Sequence, residues 1–297
     1  MPLESVWTLM AGARRRGYAL GYFESWNLGS LQGVLDAAES ARAPVIIGFN
    51  GDFLSRRERR VPERLALYAE LGKAAARVAH VPCALTFNEC PDDAWINAAV
   101  DLGFNLVMPV GEQTPYDRYA RRIRAIAERA HRREVAVEAE LGVLPCGASG
   151  RAEGGTELTD PDLAEHFVRD SGIDLLAVSV GNIHISISGE QALNLGHLAA
   201  LHERVSIPLV LHGGTGVAAD SLREAIRLGV AKVNYGTYLK QAYLAALRAA
   251  LANNHDNPHE LLGVGDREDV MVAGRIAVRD AVLERITTLG CCGMAGG

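Results

Sequence analysis

The feature that most constrains this chain is a repeated alternation of short aliphatic runs with longer amphipathic segments. Several runs are almost continuously apolar, as expected of parallel strands that are buried on both faces. The eight runs cover 18–23, 44–49, 82–87, 104–109, 134–141, 173–180, 207–212 and 231–235. Helical patterns follow each of them, at 30–42, 62–79, 92–101, 115–130, 161–171, 193–204, 219–228 and 237–252.

Eight strand–helix units in one chain predict a (β/α)₈ (TIM) barrel, with a doubly wound sheet as the alternative. The segment 3–16 would add an N-terminal helix. The segment 255–297 would form a C-terminal helical extension, with its helical pattern over 258–289. No linker or change in composition divides the chain, so residues 1–297 are predicted to form one domain.

Composition and charge exclude several classes of function. The chain is 48% apolar and 22% charged, which is typical of soluble globular proteins and argues against disorder. Its net charge of −6 gives no reason to expect a nucleic-acid partner, and no apolar run approaches the ~18 residues of a membrane span. Its five cysteines are scattered and odd in number, which indicates reduced thiols rather than a disulfide framework. We therefore expect a cytoplasmic protein with no membrane or nucleic-acid partner.

Polar residues close seven of the eight predicted strands. In a barrel, the carboxyl ends of the strands carry the chemistry, so these residues predict an active site at one rim. They include Glu24, Asn50, Asn88, Glu89, Glu138, Glu140, His184, His212, Asn234 and Thr237.

Two histidines stand out in this set. His184 and His212 end adjacent strands, so a barrel brings their imidazoles together. With Glu89 or Glu140 they form two histidines and one carboxylate, a frequent ligand set for a catalytic divalent metal. The alternative is that each histidine binds local backbone at its strand end.

Glycine-rich loops follow the last two strands. H-G-G-T-G and N-Y-G-T contain Gly213, Thr215 and Thr237, and barrels often bind phosphate through such loops, although a tight turn is the alternative.

Four arginines follow the second strand and could receive an anionic substrate or a neighbouring subunit. They could equally form a solvated helix start that Glu58 and Glu63 balance. They are Arg56, Arg57, Arg59 and Arg60.

Five segments together resemble one known family, the class II metal-dependent fructose-/tagatose-bisphosphate aldolases. The segments are GYALGYF (17–23), VEAELG (137–142), LAVSVGNIH (176–184), PLVLHGGTG (208–216) and KVNYGTYLK (232–240). Their order and spacing carry the resemblance over nearly the whole chain. It implies a TIM barrel and a divalent metal, usually zinc, held by three histidines.

The resemblance also implies roles for single residues. Two of the family's ligands correspond to His184 and His212, while Glu89 takes the third place, so Zn²⁺ is expected and Mn²⁺ or Mg²⁺ are alternatives. Asn88 replaces the Asp that moves the substrate's proton. Because a neutral amide cannot act as a general base, Glu24 or Glu153 is expected to replace it.

Other positions would orient ligands or bind substrate. Glu140 is predicted to orient a histidine ligand. Gly213, Thr215, Asn234 and Thr237 match positions that contact phosphate and enediolate, and Asn50 is a further substrate-binding candidate. Ile185 replaces a glycine, and a lysine-containing segment that follows in the family is missing. An anionic or sugar-like substrate is therefore expected rather than the usual bisphosphate.

The resemblance thus implies a lyase that cleaves or forms a C–C bond in a ketose or sugar-phosphate-like substrate through a metal-stabilised enediolate. Two alternatives stay open at this point. One is an isomerase or epimerase that uses the same enolate chemistry on a sugar acid or phosphate. The other is a non-catalytic relative that binds a sugar phosphate. The family also implies a homodimer or homotetramer.

Overall fold

The computed structural model describes residues 3–142, 157–182, 192–252, 257–266 and 268–296. Parallel strands in these residues close into a barrel whose strand order follows the chain, and the last strand pairs with the first. The predicted TIM barrel is therefore confirmed. The strands are β1 Leu20–Glu24, β2 Val45–Asn50, β3 Cys83–Cys90, β4 Leu106–Pro109, β5 Ala136–Leu141, β6 Leu175–Val178, β7 Leu209–Leu211 and β8 Val230–Tyr235.

Helices surround the barrel, and further helices lie near the start and the end of the chain. The predicted N-terminal helix is present as α1. The helices of the described residues are α1 Val6–Arg16, α2 Leu28–Ser40, α3 Gly51–Ser55, α4 Leu65–Val78, α5 Asp93–Leu102, α6 Tyr116–His131, α7 Pro161–Ser171, α8 Leu195–Arg204, α9 Ala219–Arg227, α10 Thr237–Leu251, α11 Pro258–Leu261 and α12 Val270–Leu289. Within these residues, no helix combines the length and apolar character that a membrane crossing requires.

Local sequence explains where these helices begin and end. Asp160 caps α7 by accepting a hydrogen bond from the backbone N–H of Leu163, and Pro161 occupies the first turn. Gly172 ends the same helix with a φ of 68°, a left-handed conformation that glycine adopts without steric cost.

The end of the chain differs from the predicted continuous helical pattern over 258–289. The short helix α11 is separate from α12, because the chain turns between them. The Asp269 carboxylate accepts hydrogen bonds from the N–H groups of Gly263 and Gly265 at 2.7 and 3.0 Å, and it also caps α12.

Helix α12 packs closely against α2 and so attaches the end of the chain to the barrel wall. Arg275 binds the Asp36 carboxylate with two nitrogens, at 2.5 and 2.7 Å. A Cβ added at Gly33 would lie 2.6 Å from the carbonyl oxygen of Arg275. The two backbones can approach this closely only because residue 33 has no side chain.

The alternation of side chains along the strands separates two environments. Phe23 and Phe87 are completely buried and face aromatic neighbours, such as the Tyr235 ring stacked 5.5 Å from Phe23. The opposite faces of the strands point into the barrel, where Glu138 of β5 and Lys232 of β8 are also completely buried. Buried charges of this kind need partners of opposite charge, and these partners lie at the mouth of the barrel.

Candidate active site

A bulge in β3 turns two consecutive side chains toward the mouth of the barrel. Successive strand residues normally point to opposite faces, so Asn88 and Glu89 should diverge. The pairing of β3 with β4 shifts between Phe87 and Cys90, and Glu89 has a φ of 54°. This left-handed conformation is unfavourable for a residue other than glycine and is often retained at functional sites.

His212 lies at the centre of a cluster of carboxylates. Its Nε2 is 2.9 Å from Glu138, and its Nδ1 is 3.2 Å from Glu89 and 3.5 Å from Glu140. Burial opposes protonation of the ring, but Glu138 and Glu89 outweigh it and raise the pKa of His212 to about 10. The ring therefore carries positive charge unless another cation neutralises these carboxylates.

Lys232 balances the charge of Glu138 on the other side. Its Nζ lies 2.7 Å from Glu138, and both side chains are completely buried. Burial raises the pKa of Glu138, but Lys232 and His212 outweigh it and leave that pKa below its usual value. The same ammonium donates to the Oδ1 of Asn234 at 2.6 Å, which directs the amide NH₂ of Asn234 away from Lys232.

Asn50, at the end of the neighbouring strand β2, fixes Glu89. Its Nδ2 donates to Glu89 at 2.9 Å, while its Oδ1 accepts from the backbone N–H of Phe53 and caps α3. A continuous series of polar contacts therefore crosses the barrel, which we call the polar series. Its members are Asn50, Glu89, His212, Glu138, Lys232 and Asn234.

A cavity of about 380 Å³ lies over this series, and we call it the mouth pocket. Thr215, in the 3₁₀ turn Gly214–Gly216, is not part of its lining, and Glu140 lines a different cavity. Of the predicted site residues, the pocket brings together Glu24, Asn50, Asn88, Glu89, Gly213, Asn234 and Thr237.

Four buried polar groups of residues that line the mouth pocket have no hydrogen-bond partner among the described residues. They are the hydroxyls of Tyr22 and Tyr235, the Oδ1 of Asn88 and the Nδ2 of Asn234. All four side chains are less than 10% exposed. The Tyr235 ring stacks on Phe23, on the outer side of the strands, so the other three groups are the ones that face the barrel interior. Burial and the charges of Glu24, Glu89 and Glu138 raise the pKa of Tyr22 well above 10, so its phenol is a neutral donor. Tyr22, Asn88 and Asn234 thus offer two donors and one acceptor to a bound molecule.

An ion pair between Glu24 and Lys240 closes one side of the mouth pocket. The Lys240 Nζ lies 2.6 Å from Glu24 and 4.2 Å from the centre of the Phe53 ring. A Cβ at Gly236 would lie only 2.3 Å from the Oε2 of Glu24. The missing side chain at position 236 therefore makes room for this pair, which we call the mouth ion pair.

Two of the four arginines after β2, Arg56 and Arg59, are bound by acidic and backbone groups. Arg56 lines the mouth pocket and pairs with Asp52. Arg59 pairs with Glu63, as the solvated alternative requires, and also donates to the carbonyl of Phe53 at 3.0 Å.

Two of the three predicted metal ligands, Glu89 and His212, lie together in the described structure. Within the described ranges, no three His, Cys, Asp or Glu side chains form a complete ion site. The Nδ1 of His212 nevertheless faces Glu89, and a divalent charge would neutralise the carboxylates that converge there. His184 and Glu153 lie outside the described residues, as does Ile185.

Asn182, two residues before His184 and the last described residue of its segment, lies close to His212. Asn182 is completely buried, and its Nδ2 donates to the carbonyl of His212 at 3.0 Å. The ends of the two strands that carry the predicted histidines are therefore linked at the mouth.

Sequence reasoning missed three residues of this site: Glu138 as the partner of His212, Lys232 and Tyr22. The predicted orienting residue, Glu140, lies on the Nδ1 side, whereas Glu138 binds Nε2. Strand alternation could have found Lys232, because it lies two residues before Asn234 and must share its face. It could likewise have found Tyr22, two residues before Glu24.

A closed parallel barrel with histidine and carboxylates at its mouth is an architecture of enzymes, and comparison with known proteins identifies the family. The family model described as fructose-bisphosphate aldolase class-II matches residues 4–294. The chain therefore belongs to the class II fructose-bisphosphate aldolase family and is a lyase of the aldolase type.

Individual relatives agree with this assignment, and identities of about 30% mark this chain as a divergent member of the family. A fructose-bisphosphate aldolase of Geobacillus stearothermophilus is 30% identical over 298 residues, which cover 99% of each chain. A 6-phospho-5-dehydro-2-deoxy-D-gluconate aldolase of Halalkalibacterium halodurans is 32% identical over 86% of this chain and 88% of its own. The crystal structure of the YdjI aldolase from Escherichia coli K12 superposes with a TM-score of 0.82 at 30% identity, over 99% of both chains.

Proposed function

We propose that this aldolase cleaves a hydroxylated ketose or sugar-phosphate-like substrate with a divalent ion held by Glu89, His184 and His212. The observation that carries the proposal is the 3.2 Å approach of Glu89 to the Nδ1 of His212, which the bulge in β3 produces. Class II aldolases generally depend on a divalent metal. A nitrogen and carboxylate donor set favours Zn²⁺, with Mn²⁺ or Mg²⁺ as alternatives.

The bound ion would supply Lewis-acid polarisation of the substrate's carbonyl. The protein's own groups would do the rest. The Nδ2 of Asn234 is held toward the pocket by Lys232 and would donate to the oxygen on which negative charge develops. Tyr22 would donate a second hydrogen bond to a substrate oxygen, and the Oδ1 of Asn88 would accept one from a substrate hydroxyl.

Cleavage also needs a base for the hydroxyl proton of the carbon that becomes the aldehyde. Asn88 cannot take this proton, because its amide is neutral. Glu24 lines the mouth pocket and is positioned by Lys240, so we propose it as the acceptor. Glu153 is the alternative acceptor and lies outside the described residues.

An anionic end of the substrate would lie against the loops after β7 and β8. Gly213 and Thr237 line the mouth pocket there, and Thr215 lies in the adjoining turn. The relatives named above are aldolases of fructose bisphosphate and of a phosphorylated deoxygluconate, so a phosphorylated substrate is the first to test.

The test is cleavage of these two named sugar phosphates by metal-loaded protein, with metal content measured on the same samples. We expect Glu89→Ala and His212→Ala to lose bound metal and at least a hundredfold in kcat/KM. His80→Ala removes an exposed histidine and is the matched control. Full metal content and unchanged turnover in both site variants would contradict the proposed ligand set.

The same reaction in D₂O separates cleavage from the isomerase alternative, which the amide at Asn88 keeps open. Deuterium exchange without cleavage would favour an isomerase. A single domain over 1–297, a cytoplasmic location and a homodimer or homotetramer stay predictions, and light scattering after gel filtration would determine the assembly.

A further inference from the structure

A second cavity, which no predicted function uses, adjoins the mouth pocket. It has a volume of about 430 Å³, and we call it the side pocket. Glu24, Asn50, Phe53 and Lys240 line both cavities. The two cavities therefore meet at the mouth ion pair, and a molecule bound over the polar series could extend past this pair.

Aromatic side chains form the walls of the side pocket and are held in place by their own contacts. The Phe49 and Tyr68 rings meet edge to face at 5.0 Å, and Trp26 meets Tyr243 at 5.2 Å in the same manner. Phe53 and Leu54 complete the apolar lining. Walls that are already packed need little rearrangement to receive a ligand.

The charges of the side pocket are already matched to one another. Arg59 pairs with Glu63 and donates to the carbonyl of Phe53. The Tyr68 hydroxyl donates to the other oxygen of Glu63 at 2.9 Å. Displacing these partners to bind a phosphate would cost their hydrogen bonds, so this pocket favours an uncharged ligand.

One buried side-chain polar group of the side pocket has no hydrogen-bond partner among the described residues. Ser25 is only 2% exposed, and its Oγ is buried without a hydrogen bond. Its backbone N–H is already bound to the carbonyl of Gly48 at 3.0 Å. The backbone N–H of Ser25 is thus already satisfied, and a ligand oxygen would form its hydrogen bond with the Oγ.

We propose that the side pocket is a substrate subsite that binds an uncharged group with an apolar face and one oxygen, attached to the aldehyde half of the substrate. The apolar face would pack against the rings, and the oxygen would bind Ser25. This inference rests on the proposed aldol reaction over the polar series.

The test uses aldol addition of dihydroxyacetone phosphate to two neutral aldehydes, acetaldehyde and phenylacetaldehyde. Wild-type protein should show kcat/KM at least tenfold higher for phenylacetaldehyde. Leu54→Trp narrows the side pocket and should reduce this ratio at least tenfold. Leu67→Trp makes the same change at a residue that is 65% exposed on α4 and should keep the ratio.

Direct binding separates the subsite from the reaction. Saturation-transfer NMR with 2-phenylethanol should detect binding to wild type and to Leu67→Trp, and lose it in folded Leu54→Trp. Ser25→Ala should weaken this binding about threefold and serves if Leu54→Trp does not fold. Turnover of acetaldehyde with a kcat/KM no lower than that for phenylacetaldehyde would overturn the proposed subsite. Absent turnover with 2-phenylethanol bound as expected would contradict the proposed reaction and leave the subsite supported.

Discussion

Replacing Tyr22 by phenylalanine should make the protein more stable and less active. The ring is 2% exposed, and its hydroxyl is buried without a partner among the described residues. A buried polar group without a hydrogen bond costs about 1–3 kcal/mol. Tyr22→Phe removes that cost, so the free energy of unfolding should rise by about 1 kcal/mol, which corresponds to about 2 °C in Tm for a chain of this size.

The same substitution removes one hydrogen bond to the substrate. A hydrogen bond of this kind contributes about 0.5–1.5 kcal/mol. Because 1.36 kcal/mol corresponds to about a factor of ten in rate, kcat/KM should fall about two- to twelvefold. Thermal denaturation and steady-state cleavage of the preferred substrate, measured on one preparation, give both quantities.

Tyr18→Phe is the matched control, because Tyr18 is a buried phenol that precedes β1 at the opposite end of the barrel. It should leave kcat/KM unchanged. A Tm that falls by several degrees in Tyr22→Phe would show that the hydroxyl has a partner in the free protein. Unchanged kcat/KM in Tyr22→Phe would refute its contact with substrate.

Three further substitutions follow from buried contacts. Glu138→Leu leaves Lys232 buried without its carboxylate and should cost about 3–5 kcal/mol in urea denaturation, whereas adding Lys232→Met should recover at least half. Gly33→Ala overpacks the contact between α2 and α12 and should cost about 1–3 kcal/mol, while Gly29→Ala, whose added Cβ meets nothing closer than 3.6 Å, should not. Gly236→Ala places a methyl group against the mouth ion pair and should lower kcat/KM with little change in Tm, so retained activity would contradict the proposed role of that pair.

The sequence was sufficient to predict the barrel and the residues that close its strands. Buried parallel strands are apolar on both faces, so a polar residue at a strand end is conspicuous, as with Glu24, Asn88 and Asn234. The barrel then places those ends at one rim whatever the details of packing, which is why these positions line one pocket.

The orientation of single side chains could not be obtained in the same way. The bulge that turns Glu89 into the mouth depends on pairing with β4 and on a left-handed backbone that many residue types could adopt at some cost. The short helix α3 was missed, because its five residues resemble a loop and its cap is the side chain of Asn50. Glu138 and His212 are 74 positions apart in the sequence, so only the folded barrel shows that they are partners.

The polar series has a consequence for how this protein can change over evolutionary time. Its charged members alternate in sign, and His212, Glu138 and Lys232 are completely buried, so a substitution at one of these three positions leaves its neighbour without compensation. Positions 138 and 232 should therefore be replaced together in descendants of this chain, as a charged pair or as two apolar residues. The apolar residues of the side pocket, such as Phe49, Phe53 and Leu54, are free of this restriction, since they contribute packing rather than a balance of charge. Substrate preference should consequently diverge faster than the interior on which the reaction depends.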